Sequence, residues 1–246
     1  MGFSPEEVER YARHLVLSEI GGPGQQRLSR ATVAVIGAGG VGGPAALYLA
    51  AAGVGTLRIV DPDTVSLSNL QRQILFDTTD VGRPKVEVAG ARLTALNPHV
   101  VIEAVAEPLT AANAAALLAG ADVALDGTDD FAVRHAVNAA CVVAGMPLVS
   151  GALGRWTGQV GVFTGRPCYR CLVPDLPPDT ETCARVGVVG ALAGVIGSMA
   201  ALETIKLITG AGEPLIGRLL LYDGLSATSR TVQVTPDPGC PVCRTA

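Results

Sequence analysis

The sequence has no surplus of positive charge. Its 246 residues carry 18 Lys and Arg against 22 Asp and Glu, a formal net charge of −4. With a pI near 5.4, this argues against a bulk electrostatic grip on DNA or RNA. The N-terminal MGFSPEEVER is acidic and lacks the apolar core of a secretory signal. A full-length membrane span, about 20 mostly large apolar residues, is also missing. The nearest stretch, 186–202 (VGVVGALAGVIGSMAAL), is shorter, rich in glycine and closely flanked by Arg185, Glu203 and Lys206. It reads as a buried helix, with Gly190, Gly194 and Gly197 allowing close backbone approach. No interdomain linker and no internal repeat is visible. These absences lead to the expectation of a soluble, cytoplasmic protein with no nucleic-acid or membrane partner.

What is present is apolar content, 49% of residues with a mean hydropathy of +0.41, enough for a sizeable core. Strand-like runs fall at 32–37, 56–61, 100–105, 123–126, 147–150, 160–164, 219–222 and 231–235. Helical patterns fall at 8–17, 42–52, 85–96, 111–118, 131–144 and 186–209. Short apolar strands alternating with helices imply βαβ units and a parallel sheet. The last strands lack intervening helices, so the sheet should turn antiparallel at one edge. The predicted fold class is therefore α/β, Rossmann-like, mostly parallel and flanked by helices. One segment breaks the pattern: 167–187 (PCYRCLVPDLPPDTETCARVG) holds four prolines and reads as a loop, because proline fixes φ and removes a donor.

The stretch AVIGAGGVGG places Gly37, Gly39, Gly40 and Gly42 between an apolar strand and a small-residue helix. Such glycines permit positive φ, close approach of backbone N–H groups to a phosphate, and tight helix–strand packing. Asp61, closing the next strand, is placed to accept hydrogen bonds from ribose hydroxyls. The pattern suits NAD and ATP alike. The residues that follow separate the two. Arg72 in SNLQRQ and Lys85 in RPK are cations of the kind that stabilise charge moving onto a departing pyrophosphate. A hydride transfer has no general need of them. A third motif, DGTDD, puts Asp126, Asp129 and Asp130 at the carboxyl end of a strand, where open α/β sheets bind ligands. Carboxylates near phosphates suit Mg²⁺. Either Asp129 or Asp130 should cap the helix from Phe131, leaving the other for metal.

Six cysteines complete the inventory. Cys168-x-x-Cys171 and Cys240-x-x-Cys243 supply the thiolate set of a tetrahedral Zn²⁺ site, provided the fold brings the pairs together. Redox pairs or disulfides are disfavoured by a cytoplasmic location. Cys141, in the apolar NAACVVAG, reads as a buried small hydrophobe. Cys183 sits in the proline-rich loop, where the following helix and Arg185 favour thiolate and Glu181 opposes it. A reactive thiol and an inert one are both open.

The ordered set RYARH, GAGGVG, DPD, SNLQRQ, DVGRPK, DGTDD, two C-x-x-C pairs and Cys183 resembles the ThiF/MoeB family, bacterial relatives of the ubiquitin-activating enzymes, over nearly the whole chain. The resemblance implies one adenylation domain over 1–246: an N-terminal helical segment to 30, a nucleotide-binding core over 31–165, and a crossover loop, long helix and zinc-pinned tail from 166. It also implies an enzyme, an adenylyltransferase that uses Mg-ATP to activate the C-terminal glycine of a ubiquitin-like sulfur carrier ending in Gly-Gly, for conversion to a thiocarboxylate. Asp61 and Asp63 would lie at the ribose side, Asn69, Arg72 and Lys85 at the phosphates, and Asp129 at magnesium. Arg13 would reach the ATP site of a partner subunit, making a homodimer with composite sites. Cys168, Cys171, Cys240 and Cys243 would hold zinc. Molybdopterin synthesis, thiamin synthesis and tRNA thiolation are the pathways such carriers serve. His14 and Asp130 depart from the family's usual Gln and Asn. With no rhodanese-like extension after Cys243, sulfur would come from a separate donor, a cysteine desulfurase or a rhodanese. An NAD-dependent oxidoreductase, supported only by the glycine turn and Asp61, and a non-catalytic scaffold are the competing readings; Arg13, Arg72, Lys85 and Asp129 in one chain count against the scaffold.

Overall fold

The structure, a computed structural model, describes residues 2–175 and 187–244. Its frame is an eight-stranded sheet of order β3-β2-β1-β4-β5-β6-β7-β8. The strands are β1 (Thr32–Ile36), β2 (Thr56–Val60), β3 (Val101–Val105), β4 (Val123–Asp126), β5 (Leu148–Gly154), β6 (Thr157–Phe163), β7 (Arg218–Asp223) and β8 (Thr228–Gln233). Strands β1 to β5 pair parallel, and β5 through β8 antiparallel. The expected change of direction at one edge is therefore present. Buried on both faces, β1 and β4 are continuous apolar runs, TVAVI and VALD, as central parallel strands require.

Register fixes where the site lies. Ile36 pairs with both Val60 and Asp126, so β1, β2 and β4 end level with one another. The turns that follow converge at one carboxyl edge, next to the point where strand order reverses. Helices α4 (Gly42–Ala51) and α5 (Lys85–Leu96) follow β1 and β2, while α6 (Ala114–Leu118) and α7 (Phe131–Ala144) flank β4. Ahead of the sheet lie α1 (Pro5–Arg10), α2 (Ala12–Leu15) and α3 (Gly21–Arg30). A short α8 (Tyr169–Leu172) precedes the long α9 (Gly190–Thr209).

Several expectations need correction. The single helix expected over 8–17 is two short ones, α1 and α2. They break where Tyr11 is buried against Gly53 and its hydroxyl accepts from Asn97 Nδ2 at 2.9 Å. Helix α3 went unforeseen, because GGPG is a poor helix opening. It is held by long-range contacts instead: Gln25 Nε2 donates to Ala52 O at 2.8 Å, and Arg27 donates to Thr209 O. The segment read wholly as loop begins with α8. Strand β5 runs on through Gly154, paired with β6 from Leu148↔Phe163 to Gly154↔Thr157.

Among the described residues α9 is the one helix long and apolar enough to cross a membrane. Its inward face, including Leu192, Ile196, Ala200 and Ala201, is buried in the main core. A Cβ on Gly190 would lie 2.0 Å from Gln71 O, and one on Gly197 2.5 Å from Val41 O. Those two glycines do permit close approach. Gly194 does not, since nothing lies within 4 Å of its Cβ position.

Candidate active site

The glycine turn is built by its backbone. Gly37 adopts φ +86°, and its N–H donates to Val60 O at 2.8 Å. The next N–H, of Ala38, donates to Asp61 Oδ2 at 2.8 Å, so Asp61 stitches β2 to the turn. A Cβ on Gly42 would fall 1.8 Å from Gly37 O. Any side chain there must push the turn away from α4. Gly42→Ala is expected to cost about 1–3 kcal/mol and to weaken nucleotide binding, both read by thermal denaturation with and without ATP. Unchanged stability and ATP-induced shift would show that the turn is not so constrained. Among the described residues the N–H groups of Gly39, Gly40 and Val41 donate to no protein acceptor. They stand at the N-terminus of α4, where the helix field favours an anion.

These residues line a cleft of about 890 Å³ that also includes Asp63, Asn69, Arg72, Gln73, Lys85, Asp129, Asp130 and Arg134. The structure thus brings together the glycines, Asp61, Asp63, Asn69, Arg72, Lys85 and Asp129. Lys85 opens α5 and is buried, with Nζ 2.9 Å from Asp63 Oδ2 and 3.9 Å from Asp61 Oδ2. Burial raises the Asp61 carboxyl above its usual range, against the pull of Lys85 and two backbone N–H groups. Arg72 is freer, with Nη1 on Ser68 O at 3.2 Å. Gln73 is a cleft residue to which its motif alone assigns no role. It is 5% exposed, and its Oε1 is buried without a partner among the described residues. A buried amide oxygen without a partner calls for a donor, from an ordered water or from a ligand hydroxyl or amine.

The three acids of DGTDD divide. Asp130 caps α7, its Oδ1 accepting from Ala132 and Val133 N–H at 2.7 and 3.1 Å. Asp129 is exposed and forms no hydrogen bond among the described residues. Asp126 is no candidate for a nucleotide-bound metal. It is fully buried, its Oδ1 accepts from Thr128 N and Oγ1, and Arg134 Nη1 lies 3.9 Å from its Oδ2. Burial raises its carboxyl despite Arg134 and Thr128. Arg134 was missed because an arginine inside a helical pattern reads as a solvated side chain.

The four cysteines come together. Their Sγ atoms all lie within 4.8 Å of one another, with Cys168–Cys240 at 3.7 Å and Cys171–Cys243 at 3.4 Å. A tetrahedral centre with Zn–S bonds of about 2.3 Å has S···S edges of about 3.8 Å, so the donor set fits zinc. Asn138 Nδ2 lies 3.5 Å from Cys168 Sγ. Cys141 is buried, which pushes its thiol up to about 12 and makes it inert. Cys183 lies outside the described residues. Arg13 is exposed on α2 and does not line the cleft of its own chain. His14 Nδ1 sits 2.9 Å from Gln25 Oε1.

His135, on α7, meets Val173 O through Nε2 at 3.0 Å and Arg170 Nη1 through Nδ1 at 2.8 Å. Burial and then Arg170 hold its pKa below the usual 6.5. A depressed folded pKa gives stability that is complete above 6.5 and lost as pH falls through the folded value. His135→Gln keeps a neutral donor for Val173. It is expected to flatten the fall in Tm below pH 6.5. A variant with the parent's pH profile would show that another group titrates.

A second groove, of about 790 Å³, runs over β5 to β8 and shares Ala152, Leu153 and Gln159 with the cleft. Comparison with known proteins places this architecture. The chain is 48% identical to a sulfur carrier protein adenylyltransferase of Thermus thermophilus, covering 99% of this chain and 93% of that one. It is 46% identical to the molybdopterin-synthase adenylyltransferase of Escherichia coli, covering 98% of each. Among solved structures, E. coli MccB with MccA-N7isoASN superposes with a TM-score of 0.85 at 24% identity, over 98% of this chain and 75% of that one. That last likeness is one of fold. Residues 11–242 match the ThiF family, and the chain belongs to it.

Proposed function

We propose that the protein is an ATP-dependent adenylyltransferase acting on the C-terminal glycine of a ubiquitin-like sulfur carrier ending in Gly-Gly. The observation that carries this is a cleft with free backbone N–H groups and two cations. The groove over β5 to β8, which shares Ala152, Leu153 and Gln159 with the lining of that cleft, suits an extended, small-residue tail. In the step itself a carboxylate oxygen of the tail forms a bond to the α-phosphorus. The bond from that phosphorus to the bridging oxygen breaks, and pyrophosphate leaves with the electron pair. An ionised acid needs no general base, so catalysis rests on positioning and charge neutralisation. Asn69, Arg72 and Lys85 face the phosphates, Asp61 and Asp63 the ribose. Asp129, unengaged by the protein, helps hold Mg²⁺, whose charge offsets that of the phosphates.

Cys168, Cys171, Cys240 and Cys243 hold Zn²⁺ as a structural centre. A separate sulfur donor, a cysteine desulfurase or a rhodanese, completes this reading. Arg13 is exposed and does not line its own cleft, and α9 leaves Leu202 59% exposed. Both fit a cytoplasmic homodimer in which Arg13 serves the partner's site, the whole chain acting as one adenylation domain. ATP–pyrophosphate exchange with each candidate Gly-Gly carrier tests the reading. Exchange with at least one carrier is expected, and none with any carrier at any magnesium level overturns it in favour of a scaffold.

A further inference from the structure

Helix α7 joins two parts of the molecule that the proposed chemistry treats separately. Its N-terminus follows Asp129, and its buried face presents Arg134 and, one turn on, Asn138. Asn138 Oδ1 accepts the Tyr169 N–H at 2.8 Å while its Nδ2 meets Cys168 Sγ. The cysteine cluster is thus docked on the helix that leads away from Asp129. Tyr169, between Cys168 and Cys171, lies over Arg134, with the guanidinium carbon 5.8 Å from the ring centroid. Phe163 supports the ring from its edge at 5.8 Å.

Arg134 in turn spans the cleft floor. Nη1 donates to Ser150 Oγ at 3.0 Å, and Nη2 donates to Gly151 O at 2.8 Å and to Thr128 O. Thr128 precedes Asp129, while Ser150 and Gly151 belong to β5, which continues into the groove wall. Asp129 makes no hydrogen bond of its own, so its place is set by its neighbours. We propose that Arg134 is a positioning residue for adenylation, holding the Asp129 turn and the β5 wall at a fixed separation, and that the cysteine cluster acts on the cleft through Tyr169.

Two arguments favour positioning over stability alone. Replacing a buried ion pair by apolar groups is often neutral or stabilising, so the Arg134–Asp126 pair is not there merely to hold the fold. The planar fork also reaches three acceptors on two separate segments, which a lysine ammonium on its single stem does not reproduce. The inference rests on the adenylyltransferase reading for its kinetic half only.

The test uses the full chain with zinc bound, as Arg134→Lys and as Tyr169→Leu. Both should retain the parent's zinc content and cooperative unfolding. Amide hydrogen exchange should quicken at 127–130 and 151–153 while the rest of the sheet keeps its protection. In Arg134→Lys, kcat for pyrophosphate exchange should fall on the order of 10²-fold, with KM for ATP held within about three-fold. Tyr169→Leu should show the same split at roughly ten-fold, and it stands in if the lysine variant does not fold. Parental protection at both segments overturns the proposal, as does loss of protection spread evenly over the sheet. Quickened exchange with unchanged kcat overturns it too. If the parent shows no activity with any carrier, the adenylation reading fails, and the hydrogen-exchange result still decides whether Arg134 couples the two segments.

Discussion

Arg72→Ala should lower pyrophosphate exchange on the order of 10²–10³-fold while changing stability by no more than about 0.5 kcal/mol. Arg72 is half-buried, its guanidinium makes one 3.2 Å bond to Ser68 O, and its Cγ lies against the glycine turn at Gly40. Nothing in the fold depends on its charge. Lys85→Ala should lose comparable activity and stability as well. It removes the cation nearest Asp61, which is itself buried, and stranding one member of a buried pair costs about 3 kcal/mol or more.

The stability deficit of the Lys85 variant has a pH signature. The folded Asp61 pKa already lies above the ordinary 3.8, so the native state holds more proton than the unfolded state between the two values. Stability contributed there falls as pH rises through that window and recovers as pH drops. Without Lys85 the folded pKa moves further up, so the gap in Tm between variant and parent should narrow as pH falls from 7 towards the ordinary 3.8. Activity assays paired with denaturation across this range check this. Parental exchange in both variants would sink the assignment of these cations, and equal stability losses would sink the distinction between them.

What was legible in the sequence is what local geometry demands of residue type. Gly37 and Gly42 could be named because no other residue fits the turn. The two C-x-x-C pairs could be named because thiolate spacing is itself chemistry, and β4, α5 and α7 because their apolar periods are unbroken. Features set by distant contacts were not legible. Helix α3 opens on GGPG and exists through Gln25 and Arg27 reaching other elements. The choice between Asp129 and Asp130 was a matter of which carboxylate folds back on α7, a rotamer that no spacing encodes. Arg134 and Gln73 are buried polar groups at the cleft floor. From the sequence each is one more hydrophilic residue in an amphipathic run. Asp126 shows the converse. It was grouped with its acidic neighbours by proximity in the chain, and one residue of strand pleat turned it inward.

Stripping the metal should have the largest structural effect of all. Cys168, Cys240 and Cys243 are fully buried, yet among the described residues only Val142 and Val242 are apolar side chains packed with the cluster. The tail reaches the larger core through Val234, and β8, which leads to it, is exposed along its whole length. At Sγ separations of 3.7 and 3.4 Å the thiols are unbonded, a disulfide being roughly 2.05 Å, but close enough to oxidise, so the metal is stripped under reducing conditions. If the four thiolates hold zinc as proposed, the metal would be the main tie between the tail and α7. Chelation, or Cys240→Ser, is expected to lower Tm on the order of 10 °C, which for a chain of this size is about 3–5 kcal/mol. Limited proteolysis should then cut after Val234 while the glycine-turn half of the sheet survives. ATP should still raise the Tm of that surviving half, because β1, α4 and Asp61 make no contact with the cysteines. A protein purified without zinc, melting at the same temperature and resisting protease equally, would show that packing alone holds the tail. Loss of ATP binding in step with zinc would instead show that the cluster's influence on the nucleotide side is stronger than the Tyr169–Arg134 link transmits.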